Sequence, residues 1–120
     1  MKEPWIEVGN LSSYRDFLDV DDAINAIWLA ATEGSPGETY HVCSGKKIQI
    51  KELLNKSLAL STKPIQVKEN VDTKLRSLDE DMIIGDHSKI TNELSWNPSK
   101  PIEETLKEMF EYWLKIYEKT

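Results

Sequence analysis

The segment Ala23 to Ala31, AINAIWLAA, constrains this chain more than any other, because Asn25 is its only polar residue. Ile24, Ile27, Trp28 and Ala31 recur at helical spacing. A helix lying on a globular surface keeps a polar face over about half its circumference, and this one has none. Asp19, Asp21 and Asp22 stand at its entry, where carboxylates cap free amides and face the positive end of the helix dipole. Gly34-Ser35-Pro36-Gly37 stops it. Two arrangements accommodate such a helix. Either it is central and wrapped by the other helices, or one of its sides packs on material outside this chain. Periodicity leaves both open.

The 120 residues fit one domain or a piece of one. A compact chain of that length buries roughly two thirds of its unfolded surface, so a core is within reach. The net charge is −6 and the isoelectric point about 4.9. That field repels phosphate backbones, and no Lys/Arg cluster with interleaved aromatics offsets it, which argues against nucleic acid as a partner. Cys43 is the only cysteine. It allows no intrachain disulfide and no thiolate metal cage, and it suits a reducing compartment. The longest apolar run, Ala26 to Ala31, is too short to span a bilayer, and no basic-then-apolar signal opens the chain. A cytoplasmic protein without a membrane segment is expected.

The remaining elements follow from period and punctuation. Trp5 to Val8 alternates and closes on Gly9-Asn10, as a short strand does. Thr39 to Cys43 is β-rich and reads as a second strand. Ile48 and Ile50 lead into a helix carrying Leu53, Leu54 and Leu58. Ile65 to Val67 reads as a third strand, and Asp86 or Ser88 opens a short helix ending near Leu94. The last helix starts around Pro101, with Glu103 and Glu104 at its positive end. Its apolar stripe is Ile102, Leu106, Met109, Phe110, Trp113 and Tyr117. The expected fold class is α/β, in an α+β-like form: three main helices with a few short strands.

Much familiar chemistry is missing. No Gly-x-Gly-x-x-Gly follows a strand, and no Gly-x-x-x-x-Gly-Lys occurs. His41 and His87 lack partners at metal-ligand spacing, and they read as a strand side chain and a helix-start residue. None of Tyr14, Tyr40, Tyr112 and Tyr117 has a lysine four positions later, so no Tyr/Lys proton-transfer pair exists. Glu52, Glu108, Glu111 and Glu118 read as solvated faces, and Cys43 as a small buried apolar residue. Arg15 and Arg76 are the only arginines. A guanidinium fork can hold two oxygens of a carboxylate or phosphate. It can equally form a surface ion pair worth under about 1 kcal/mol, for Arg15 with Asp16 or Asp19. On composition alone both readings stand for each arginine.

Three stretches, VGNLSSYRDFLDVDDAINAIWLA, GETYHVCSGKKIQIKELL and LRSLDEDMIIGDHSKITNELSWNPSKPIEETLKEMFEYW, resemble the C-terminal portion of the extended short-chain dehydrogenase/reductase family. The resemblance runs from about Val8 to Trp113. It is strongest to the GDP-4-keto-6-deoxy-D-mannose reductases, with the GDP-mannose 4,6-dehydratases next. It implies that Arg15 and Arg76 are the two arginines that grip the substrate diphosphate. Each such bond would contribute on the order of 1.5–3 kcal/mol. It further places Asn10 and Leu11 in the nucleotide-contacting loop, and Asp79 beside the second arginine. Asp86, Ser88, Lys89, Trp96 and Pro98 match architectural positions.

Three departures stand out. Ser77 replaces a frequent proline, Ser95 a usual glycine, and Gln49 the serine or threonine that caps the second helix. The larger departure is that the family's Gly-rich dinucleotide fingerprint and its Tyr-x-x-x-Lys pair belong to the N-terminal half. Residues 1–120 are therefore expected to form one substrate-binding unit without the N-terminal Rossmann half. The resemblance implies that the first helix and the Tyr40 to Cys43 strand dock on that half. NAD(P) would serve the complete enzyme, in which hydride passes between nicotinamide and C4 of the hexose while a tyrosine relays the proton. This chain would bind no cofactor and catalyse nothing alone. Its partners would be a nucleoside-diphosphate sugar, the missing half, and other copies of itself through the apolar helix. The alternative is a stand-alone acidic α/β module whose apolar helix binds a protein partner.

Overall fold

Asp19 ends an extended stretch and begins α1, Val20–Glu33, by accepting the Asp21 amide on its carboxylate at 2.8 Å. The computed structural model describes residues 4–70 and 82–118. In chain order the described elements are β1 (Trp5–Val8), β2 (Tyr14–Arg15), α1, β3 (Ile48–Gln49), α2 (Ile50–Leu58), β4 (Gln66–Glu69), α3 (Ser88–Leu94) and α4 (Ile102–Glu118). The expected mixture of helices and short strands is present.

The strands form two separate pairs. β1 lies parallel to β4, with Trp5 opposite Gln66 and Val8 opposite Glu69. β2 runs antiparallel to β3, with Arg15 opposite Ile48, and a parallel bridge joins Tyr14 to Met82 on its other side. A parallel pair is normally covered on both faces, yet nearly every residue of β1 and β4 is exposed.

The core is small. Ala26 of α1, Ile90 of α3 and Trp96 form its centre, with Leu18, Leu29, Tyr40, Val42 and Leu94 packed around them. Trp96 donates its indole N–H to the Asp22 carbonyl at 3.0 Å, so the ring is both buried and satisfied. Ser95, which closes α3, sits in the left-handed region at φ 56°. Glycine adopts that conformation without the penalty a Cβ brings.

One reading of the sequence needs correction, and one of the two arrangements left open for the apolar helix falls away. Thr39–Cys43 is not a strand. Tyr40 and Val42 turn onto the core, and the Thr39 carbonyl accepts from Lys89 Nζ at 2.9 Å instead of from a neighbouring strand. Nor is α1 a central helix wrapped by others. Only Asp22 and Ala26 of α1 are buried, on the side facing α3. Val20, Ile24, Ile27 and Trp28, spaced four, three and one apart, are 67, 56, 63 and 69 % exposed. The accessible surface is 9191 Å², against about 6600 Å² for a compact chain of 13.8 kDa. The body is 58 × 39 × 19 Å, a slab about two layers thick. No described helix is long and apolar enough to cross a membrane.

Candidate functional site

The Asn10–Arg15 segment is built as a turn that leads into β2. Asn10 Oδ1 accepts from the Ser12 amide at 2.9 Å and the Ser12 hydroxyl at 2.6 Å, while its Nδ2 donates to Ser13 Oγ at 3.0 Å. The same turn caps α2. The Lys51 amide donates to the Leu11 carbonyl at 3.0 Å and the Ile50 amide to the Ser13 carbonyl at 2.9 Å. Gln49 makes no side-chain cap to the helix, and these tertiary carbonyls take over its function. Gln49 Nε2 instead reaches the Ser12 carbonyl at 3.2 Å. Leu11 is buried, so its side chain anchors the turn.

Arg15 is half-buried on β2 and donates from one guanidinium nitrogen to the Tyr14 carbonyl at 2.8 Å. Its neighbour Asp16 is saturated with donors. Oδ1 accepts the Ser44 amide at 2.8 Å and the Ser44 hydroxyl at 2.6 Å; Oδ2 accepts the Gly45 amide at 2.8 Å and the Gly85 amide at 3.2 Å. Burial alone would raise its pKa, but these bonds outweigh it and hold the carboxyl below its ordinary value. Gly85 permits this closeness, because a Cβ there would meet Cys43 Sγ at 2.5 Å. Burial pushes the Cys43 thiol up, and the Asp16 charge adds to the effect, so it is an inert packing residue.

Of the three acids at the α1 entry, Asp19 is the cap, and it also accepts from Thr105 Oγ1 at 2.6 Å. Asp22 has a different role, which its position as a helix-entry acid had not suggested. Its carboxylate accepts the Ser99 amide and hydroxyl and the Lys100 amide at 2.8–3.0 Å. A signal existed in the sequence: Asp22, Ala26 and Leu29 share one face of α1. Glu108 is not simply solvated, since with Asp21 it flanks Lys100 Nζ at 2.9 and 3.0 Å and raises the lysine pKa. His87 occupies the N-cap position of α3 without a side-chain cap bond and stands edge-on to Trp96 at 5.6 Å, while Asp86 Oδ1 accepts the Ser88 amide at 2.9 Å.

Arg76, Ser77 and Asp79 lie outside the described residues. The chain on either side of them is anchored beside the Asn10–Arg15 segment. The Asn70 amide donates to the Val8 carbonyl at 2.8 Å, and the Ile83 amide to the Tyr14 carbonyl at 3.1 Å. A cleft of about 310 Å³ lies between the 44–48 loop and residues 98–103, and its described lining includes Lys46, Lys47 and Lys100 but not Asn10, Leu11 or Arg15. Among the described residues no three His, Cys, Asp or Glu side chains are grouped to hold a metal ion. Among the described residues no glycine-rich turn joins a strand to a helix. Of the described strands, β3 passes into α2 with no glycine turn between, and β1 turns at Gly9 towards another strand.

Comparison with known proteins defines the class. The RMD protein of Pseudomonas aeruginosa, solved with NADPH, superimposes with a TM-score of 0.82 at 27% identity over 91% of this chain and 35% of that one. A UDP-glucose 4-epimerase from Thermotoga maritima, solved with UDP-glucose, gives 0.75 at 27% identity over 97% and 36%. The fold is thus that of about a third of an NAD-binding short-chain dehydrogenase/reductase enzyme.

Residues 1–109 match the family model for GDP-mannose 4,6 dehydratase, and the chain belongs to that family. Among curated relatives, the GDP-6-deoxy-D-mannose reductase of P. aeruginosa is 27% identical over 90% of this chain and 35% of its own length. The chain therefore spans about a third of the length of such relatives, and the homology is to enzymes of GDP-sugar dehydration and reduction.

Proposed function

We propose that this chain is the substrate-binding portion of an NAD(P)-dependent enzyme acting on a nucleoside-diphosphate sugar, a GDP-deoxyhexose, in the cytoplasm. Arg15 and Arg76 grip the diphosphate, Asp79 orients the second arginine or meets the ribose, and the Asn10–Leu11 turn borders the nucleotide. The observation that carries this reading is the anchoring of Asn70 at Val8 and of Ile83 at Tyr14. It ties the chain to the end of β1 before residues 71–81 and to the Arg15 strand, β2, after them. Arg76 is six positions from Met82, an extended reach of at most about 21 Å. Two guanidinium forks brought to one diphosphate supply orientation of the sugar rather than the chemical step.

The same reading accounts for the exposed face of α1. Val20, Ile24, Ile27 and Trp28 form the surface that packs on the nucleotide-binding N-terminal half that the resemblance implies. That portion supplies NAD(P) binding and the reacting groups.

Calorimetric titration of GDP into the 120-residue chain tests the proposal. Saturable binding is expected, with R15A and R76A each weakening it about tenfold or more, the fold-change equivalent of one charged hydrogen bond. NADPH should give no heat. Equal GDP affinity in wild type and both variants, or NADPH binding by the pure chain, would contradict it.

A further inference from the structure

We infer that Asp16 is a positioning residue, fixing the Arg15 guanidinium by clamping the chain on both flanks of β2. The inference rests on the reading of Arg15 as a diphosphate-binding arginine. β2 has two residues, too few for its own ladder to hold a long side chain in one place. One flank is β3, and the other is the single bridge to Met82. Asp16, adjacent to Arg15, reaches past both. Ser44 and Gly45 lie in the loop that feeds β3, and Gly85 lies three residues beyond Met82. One carboxylate thus gathers the loops on either side of the arginine strand.

The four groups facing Asp16 are all donors: three amides and a hydroxyl. A carboxylate offers about four acceptor sites and no proton, so the match is complete. Asparagine has the same shape but turns an N–H₂ towards donors on one side. The arrangement therefore requires the negative charge and not merely the volume. Arg15 and Asp16 divide the work: one meets the ligand, while the other holds the strand that presents it.

The test compares wild type, D16N, S44A, R15A and the R15A/D16N double variant of the 120-residue chain. Two readouts are used: GDP affinity by calorimetry, and amide hydrogen exchange at Ile83 and Lys100. D16N is expected to lower GDP affinity about tenfold and to speed exchange at Ile83 by a similar factor. Lys100, held by Asp22, should keep its protection. In the R15A background D16N should cost no further GDP affinity, since Asp16 acts only through Arg15. S44A removes one donor and should move both readouts the same way by less, which keeps the test open if D16N folds poorly. Equal acceleration at Ile83 and Lys100, unchanged Ile83 protection, or the same loss of GDP affinity with and without Arg15 overturns the inference. GDP affinity indifferent to R15A refutes the diphosphate reading instead, and the exchange pattern then decides whether Asp16 clamps β2.

Discussion

Asp22 of α1 and Ser99, 77 positions later, share two hydrogen bonds, amide to Oδ2 at 3.0 Å and hydroxyl to Oδ1 at 2.8 Å. The Lys100 amide adds a third at 2.9 Å. The carboxylate is buried, so D22A would leave these donors without their acceptor in a place water reaches poorly. D22A is expected to destabilise the chain by about 2–4 kcal/mol, read from urea unfolding. A loss below about 1 kcal/mol would show that the loop before α4 is held by other means.

Acid should unfold the chain through the same groups. For Asp22, as for Asp16, burial raises the pKa but is outweighed, here by bonds from the Lys100 amide and Ser99. Both folded values lie below the ordinary 3.8. A carboxyl with a depressed folded pKa adds stability above its unfolded pKa and loses it as pH falls through the folded one. Stability should therefore be level above about pH 5 and decline below about pH 4. In D22N the decline should be shallower. An unchanged acid slope in D22N would remove Asp22 from this account.

Ser95 carries a backbone strain that a smaller residue relieves. The left-handed conformation costs a non-glycine residue roughly 1–2 kcal/mol, of which the extra freedom of unfolded glycine returns about half. Ser95 makes its cap contact through its backbone, the amide donating to the Thr91 carbonyl at 3.0 Å, and glycine keeps that bond. S95G should raise stability by about 0.5–1 kcal/mol and the melting temperature by a few degrees. A lower melting temperature would contradict the strain argument.

The exposed stripe Val20, Ile24, Ile27 and Trp28 should drive the chain, studied alone, to self-associate. The surplus accessible surface of the whole chain, about 2,600 Å², is on the scale of large obligate interfaces. Sedimentation is expected to show reversible association that I24E and W28E reduce together with hydrophobic-dye binding. Association unaffected by both variants would place the contact on another surface, the apolar residues of α4 being the alternative.

How much of this could be read beforehand differs by residue. The Asp19 cap, the glycine stop and the apolar face of α1 are local signals, and they were legible. Thr39–Cys43 misled because its β-rich composition states a preference, while a strand needs a neighbour that only the tertiary structure supplies. The choice between a wrapped and an open α1 required knowing how few residues pack on it. Asp16 and Asp22 were hidden among many acids, since their donors lie far away in sequence. Resemblance alone places the Asn10 turn beside the nucleotide. Its role as the cap of α2 appears only when the Leu11 and Ser13 carbonyls are seen receiving helix amides.

If Arg15 and Arg76 converge on one diphosphate, the ratio of GDP to GMP affinity must depend on both. Calorimetric titration of both nucleotides into wild type, R15A and R76A is the measurement. Wild type should prefer GDP by about tenfold or more, since the second phosphate gains charge-assisted bonds, and each variant should bring the ratio close to one. A ratio that survives intact in either variant would contradict the account.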